Sequence, residues 1–243
     1  MPGNAYNARL CGIYGKYDMT LAIFDLDNTL LNGDSDHAWG EFLIGKGLVD
    51  PVAHKAGNDH FYQLYQQGNL DILAYVDFAI SPVKGMPRAE REALQQEFMS
   101  SSVEAMMLPK AQVLLQQHRD NGDYCLIITA TNHFVTAPIA ERLGVDDLIA
   151  TDLELVDDNY TGGVQGIPSF QAGKVRRLQD WLQAYNEGRP AGQQLSMENS
   201  VFYSDSFNDL PLLERAGKAV AVDPDPVLRE QAIKRGWEII SLR

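Results

Sequence analysis

Two cysteines, Cys11 and Cys125, are all that the 243 residues contain. They form no CxxC pair, so neither a disulfide framework nor a thiol-based metal site is indicated. Basic charge is also scarce: 20 Lys and Arg stand against 33 Asp and Glu, a formal net charge of -13. Such a chain is a poor partner for nucleic acid or for an anionic membrane surface. No apolar run approaches the roughly 18 residues needed to span a bilayer. The opening MPGNAYNARLCGIYGKYD lacks the apolar centre of a signal peptide. A soluble, cytoplasmic protein is the expectation. The five histidines (His37, His54, His60, His118, His133) include no HxxxH or HxH pair, which argues against zinc. There is no GxSxG and no Cys–His arrangement. Gly166 and Gly173 are six residues apart instead of four, and Val175 follows Lys174, so the P-loop pattern fails. The acidic loop Asn32–Asp36 lacks the glycine and glutamate of an EF-hand. Repeats and low-complexity tracts are absent.

What remains is an ordinary globular composition, 45% hydrophobic and 22% charged, long enough for one large domain or two small ones. Residues 1–19 show no periodicity and read as a tail, with Met19 a candidate natural start. From Leu21 the run Leu21-Ala22-Ile23-Phe24 reads as a buried strand and empties into Asp25-Leu26-Asp27-Asn28-Thr29. From His37 to about Met107 no strand is evident. This block reads as several helices, split by Gly45/Gly47, Pro51, Gly68-Asn69 and Ser81–Pro87, and is expected to be a helical insertion over 36–105, large enough to be its own small domain. Its aromatic stripe (Phe61, Tyr62, Tyr65, then Tyr75 and Phe78) has helical spacing and is expected to be core. Afterwards strands and helices alternate. Strands are expected at Asp123–Thr129, Leu148–Val156, Ser200–Ser204, Ala219–Val222 and Trp237–Ile240. Helices are expected at Pro109–Asn121, Phe134–Leu143, Gly173–Glu187, Phe207–Ala216 and Pro226–Arg235, with a hairpin turn over Asp157–Gly163. The alternation predicts an α/β fold, a Rossmann-like parallel sheet with helices on both faces, formed by 20–35 and 106–243.

Chemistry-bearing residues fall at the ends of these elements. Two aspartates two apart on an extended chain, Asp25 and Asp27, place like charges together, which Mg²⁺ or a shared proton would relieve. A turn built from Asp, Asn and Thr is the bland alternative. The strand ending in Thr129-Ala130-Thr131-Asn132 precedes a helix start, where free N–H groups receive phosphate or a Thr or Asn simply caps. Lys174 in a first helical turn opposes the helix dipole and calls for an anion opposite. Tyr203-Ser204-Asp205-Ser206-Phe207-Asn208-Asp209 again ends a strand in a carboxylate, with a second one four residues on. One sheet end would then hold Asp25, Asp27, Thr129, Lys174, Asp205 and Asp209, with oxygen ligands suited to Mg²⁺.

These four segments, in this order, resemble the haloacid dehalogenase-like phosphohydrolases. DLDNT matches their DxDxT signature, Thr129 their second motif, Lys174 their third, and SDSFNDLPLL their fourth. The helical insertion after the first motif, with TATNHFVTAPIAERLG and YSDSFNDLPLLE, is similar to subfamily IB, which holds phosphoserine-phosphatase-like and histidinol-phosphatase-like members. The resemblance implies an Mg²⁺-dependent phosphatase of small phosphate esters. In it Asp25 is the nucleophile that forms an aspartyl-phosphate, and Asp27 is general acid, then general base. The carboxylates of Asp25 and Asp205 and the Asp27 carbonyl would ligate Mg²⁺. Thr129 and Lys174 would hold phosphoryl oxygens, Asn208 would touch the phosphate, Asp209 would orient Lys174 or the metal's waters, and Thr29 would brace the loop. In phosphoserine phosphatases an acidic residue nine after the nucleophile binds the substrate amine and a cap arginine binds its carboxylate. Asp34 stands at that spacing here, either as an amine ligand or as a solvated loop residue, and no arginine occurs between Thr20 and Met86. An amine site without a carboxylate clamp favours histidinol phosphate over phosphoserine. Phosphoryl transfer to an alcohol other than water, and a ligand-binding protein that has kept the fold, are the other classes that the same residues allow.

Overall fold

The computed structural model describes residues 19–243; Cys11 and the expected tail over 1–18 lie outside the described residues. The chain opens with β1 (Leu21–Phe24), followed by α1 (Ser35–Gly45), α2 (Pro51–Gln66), α3 (Ile72–Ile80) and α4 (Arg88–Phe98). A π-turn at Met99–Val103 leads to the short α5 (Glu104–Met106) and then to α6 (Pro109–Asn121). Then come β2 (Tyr124–Asn132), α7 (His133–Leu143), β3 (Asp147–Thr151), β4 (Leu153–Val156), β5 (Asn159–Val164) and α8 (Ala172–Asn186). The chain closes with β6 (Ser200–Ser204), α9 (Leu210–Leu213), β7 (Lys218–Val222), α10 (Pro226–Arg235) and β8 (Glu238–Ile240).

Six strands form a parallel sheet in the order β3-β2-β1-β6-β7-β8. β1 lies inside it, paired on both sides, which is why its run is continuously apolar rather than alternating. Its side chains still divide by the strand period of two. Ala22 and Phe24 join one core with Leu115, Val135 and Ile139, and Leu21 and Ile23 join the other with Leu178, Leu212 and Leu228. Helices therefore cover both faces. The first core also runs into the helical block through Trp39, Leu43, Val76, Ile80 and Phe98. That block is entered and left at one place: Leu31 bridges Met107, and Asn32 N–H donates to Met106 O at 2.7 Å.

Several boundaries differ from expectation for identifiable reasons. The extended piece over Leu148–Val156 divides at Asp152. β3 stays in the parallel sheet while β4 turns into an antiparallel hairpin with β5. The hairpin turn shrinks to Asp157-Asp158, both with positive φ (50° and 62°), a conformation Asp tolerates in tight turns. Phe207–Ala216 is not one helix. A 3₁₀ turn at Phe207–Asp209, with the Ser206 side chain accepting from Asn208 N, precedes the four-residue α9. β2 extends three residues beyond Thr129 to Asn132, with a register shift against β3 after Ile128. Gly173 is fixed by contact, since a Cβ there would lie 2.1 Å from Pro168 O.

Candidate active site

β1 delivers Asp25 because the ladder continues one residue past the strand: Asp25 N–H donates to Tyr203 O at 2.9 Å. The chain then coils tightly, with Leu30 N and Leu31 N both donating to Leu26 O, and Asn28 adopting φ 57°. Arg243 pins this coil from outside through Asn28 O (3.1 Å) and the Asn32 side chain (3.3 Å). The adjacent strand β6 delivers Ser204 and Asp205, and the first turn of α8 carries Lys174.

The expected residues come together. Lys174 is buried, and its Nζ lies 2.8 Å from Asp25 Oδ1 and 2.7 Å from Asp209 Oδ1. These carboxylates are the anion that a lysine in a first helical turn requires. Burial alone would lower the ammonium's pKa, but Asp209 and Asp25 outweigh it and hold Lys174 above its usual range. Asp209 is itself held by the Ser204 hydroxyl at 2.7 Å. Burial raises Asp25 most, Lys174 opposes, and the outcome is a pKa of about 7. Thr29 Oγ1 donates to Asp205 Oδ1 at 3.2 Å and accepts from Asp205 N at 3.1 Å, so Thr29 braces the two strand ends against each other.

Asp27 is placed differently. Its Oδ1 accepts from Ser35 N at 2.7 Å and its Oδ2 from Thr131 Oγ1 at 2.8 Å. Burial, then the neighbouring Asp34, raise it to about 7 against these bonds. A carboxyl that titrates near neutrality can both give and take a proton. Thr129 Oγ1 accepts from Thr131 N at 3.2 Å, and both threonines line the same cavity as Asp25 and Asp27.

One lysine faces the carboxylates of Asp25, Asp209 and Asp205, so negative charge is in surplus. Burial together with Asp25 and Asp209 pushes Asp205 well above the carboxylate range. Hard oxygen donors from adjacent strand ends, carrying unbalanced negative charge, fit Mg²⁺. A second grouping, His37, Glu41 and Asp59, brings ligand atoms within 4.8 Å of one another. There Lys55 already pairs with Asp59 at 3.3 Å and Glu41 at 3.5 Å, which offsets part of the negative charge without a metal.

Other residues land where the sequence did not put them. The aromatic stripe is not simply core: Phe61, Tyr62, Tyr65 and Tyr75 line the cavity above Asp25 and Asp27. The buried positions of α2 are instead His54 and Asn58, and Asn58 packs against Gly40 of α1. Asp34 caps α1, its Oδ1 accepting from His37 N at 2.8 Å, while also facing the cavity. The Asn208 amide donates to Tyr65 O of the helical block (3.1 Å) and accepts from Gln171 Nε2 beside α8 (3.0 Å). Asp36, Ser35, Thr131, Ser204 and Gln171 went unassigned. Thr131 was signalled by its place in the Thr129–Asn132 run, and Gln171 carried no signal.

Among the described residues no helix is long and apolar enough to cross a membrane. The haloacid dehalogenase-like hydrolase family model matches residues 22–214. A histidinol-phosphatase of Neisseria meningitidis is 42% identical over 92% of this chain and 99% of its own length. A phosphoserine phosphatase of Mycobacterium tuberculosis is 33% identical over 93% of this chain and 72% of its own. The crystal structure of a protein of unknown function from Bordetella pertussis superposes with a TM-score of 0.84 at 41% identity, over 93% of this chain and 99% of that one. With the four segments converging at one end of the sheet, the chain belongs to the haloacid dehalogenase-like hydrolases and is a phosphatase of that family.

Proposed function

We propose that the protein hydrolyses histidinol phosphate, with Mg²⁺, through a phosphorylated Asp25. The observation that carries the substrate is the charge of the cavity between the helical block, which we take as the cap over 36–105, and the sheet. Asp25, Asp27, Asp34 and Asp36 line it with aromatic rings and with His37, whose ring pairs with Asp59 at 3.3 Å; among the described residues no Lys or Arg lines it. Every cation of the cap is engaged elsewhere. Lys46 pairs with Glu97, Lys55 with Asp59, Lys84 with Asp77 and Arg88 with Glu92. Arg91 donates to Met86 O and Asp158 O. A substrate carboxylate would find four like charges and neither Lys nor Arg, an arrangement that disfavours phosphoserine as well as admitting an amine. The name of the 42%-identical relative agrees with this reading. The cavity is about 40 Å³, so the cap moves outward to admit an ester.

In the proposed reaction Asp25 Oδ2 attacks phosphorus while Lys174 holds Oδ1. The P–O ester bond breaks and the leaving alkoxide takes the proton of Asp27. Water, giving a proton to Asp27, then attacks the phosphoryl group on Asp25 and frees inorganic phosphate. Thr129 and Lys174 hold the phosphoryl oxygens, and Mg²⁺, held by Asp25, Asp205 and the Asp27 carbonyl, would offset charge on them. A phosphate-release screen over amino-alcohol, sugar and nucleotide monophosphates, with and without EDTA, tests the assignment. Histidinol phosphate should lead and EDTA should abolish turnover; a sugar or nucleotide phosphate in the lead refutes it.

A further inference from the structure

Building on the histidinol phosphate reading, we propose that Asp36, together with Tyr75, is the specificity determinant for the far end of the substrate: it receives a ring N–H of the imidazole head, while Asp34 receives the ammonium. Asp36 is 5% exposed, yet it faces the cavity, and among the described residues it has no cationic partner. Its Oδ1 accepts from Asn132 Nδ2 at 3.2 Å, and Tyr75 lines the same cavity beside it. Placement in the first turn of α1 suits an acidic residue. A helix start alone, however, does not require a carboxylate sealed inside a cavity, where unpaired charge is expensive. Burial, Asp34 and Asp27 push the Asp36 carboxyl well above its usual range, a penalty that a cationic ligand removes.

The groups also fall in a useful order. Asp27 lies on the coil after β1, Asp34 caps α1, and Asp36 lies within α1 of the helical block, which also carries Tyr75 on α3. From the coil into the helical block the acids therefore follow as Asp27, Asp34 and Asp36. In histidinol phosphate the ester oxygen, the ammonium-bearing carbon and the imidazole ring follow in the same sequence. Asp27 meets the ester oxygen, Asp34 the ammonium and Asp36 the ring. The faces of Phe61 and Tyr62, which line the same cavity, suit a flat ring that carries partial or full positive charge.

The test is a selectivity ratio. Steady-state phosphate release with Mg²⁺ gives kcat/KM for histidinol phosphate and for 2-aminopropyl phosphate, which keeps the ester and ammonium but replaces the imidazolylmethyl group with hydrogen-only methyl. Asp36→Asn preserves size and can still accept from Asn132. It should lower the ratio of the two kcat/KM values about 10- to 100-fold, chiefly through KM for histidinol phosphate, the size of a lost hydrogen bond to a charged group. Tyr75→Phe, which removes one hydroxyl, should lower the same ratio about three- to ten-fold; it also supplies the readout if Asp36→Asn does not fold. Asp34→Asn should lower both values and leave the ratio within about three-fold. An unchanged ratio in both Asp36→Asn and Tyr75→Phe overturns the assignment and leaves Asp36 a fold residue. If the wild-type enzyme does not favour histidinol phosphate over phosphoserine, the substrate reading fails first, and that failure is read without any variant.

Discussion

Replacing Lys174 with Met removes the positive charge from the centre of the site while keeping a side chain of similar length. Lys174 is 2% exposed and bonds Asp25 and Asp209 at 2.8 and 2.7 Å. Removing one partner of a buried ion pair strands the other, typically at about 3–5 kcal/mol. For a chain of this length that is a fall in Tm of about 6–20 °C, at about 2–4 °C per kcal/mol. The loss should depend on pH. Lys174 is the neighbour that lowers Asp25, so in Lys174→Met the folded-state pKa of Asp25 rises further. A carboxyl raised in the folded state contributes stability at low pH and loses it as pH rises through the folded value, at up to about 1.4 kcal/mol per pH unit. The gap between wild type and variant is therefore smaller at pH 5 than at pH 8. Urea unfolding in EDTA at both values measures it, and phosphate release should fall at least about 100-fold. A variant as stable as wild type at pH 8, or one destabilised equally at both pH values, refutes the reasoning.

Further expectations concern single contacts. Without metal, Asp25 and Asp27 titrate near 7 instead of 3.8 in the folded state. Stability should thus decline from about pH 4 to pH 7, and Mg²⁺ should raise Tm more at pH 8 than at pH 5; equal shifts speak against a metal at these carboxylates. Thr131→Val removes a bond that lowers Asp27, so the Asp27 limb of the pH–rate profile should move up by about one unit. A downward move contradicts the role of Asp27. Gly173→Ala places a Cβ 2.1 Å from Pro168 O, and chemical unfolding should register a loss of about 1–3 kcal/mol; unchanged stability would mean that the α8 start is free to shift.

The sheet and most of the site were legible because both rest on local patterns. A fully buried parallel strand needs an apolar run, and Leu21–Phe24 is one. Asp25, Asp27, Thr129, Lys174, Asp205 and Asp209 sit at element ends, where turn and cap chemistry makes them stand out. The cavity lining was harder to read. Phe61, Tyr62 and Tyr65 obey the same helical spacing whether a helix faces a packed core or an enclosed space, so periodicity could not separate the two. Asp36 reads as one more residue of the acidic loop Asn32–Asp36, and its burial depends on Tyr75 and Asn132, which are distant in sequence. Asn208 lies in a motif that suggests phosphate contact, and its amide meets Gln171 beside α8 and Tyr65 O, a partner that only the docking of the helical block provides. The division of Leu148–Val156 at Asp152 was hidden too, because both pieces are apolar and extended.

The central claim is that Asp25 attacks the phosphorus of histidinol phosphate. Phosphate release from histidinol phosphate and phosphoserine, measured side by side for wild type and Asp25→Asn with Mg²⁺ present, tests it directly. Wild type should favour histidinol phosphate by about ten-fold or more in kcat/KM, the scale of one unpaired charged group, and Asp25→Asn should fall to background on both esters. A wild-type preference for phosphoserine, or an Asp25→Asn enzyme that keeps its activity, would contradict the account.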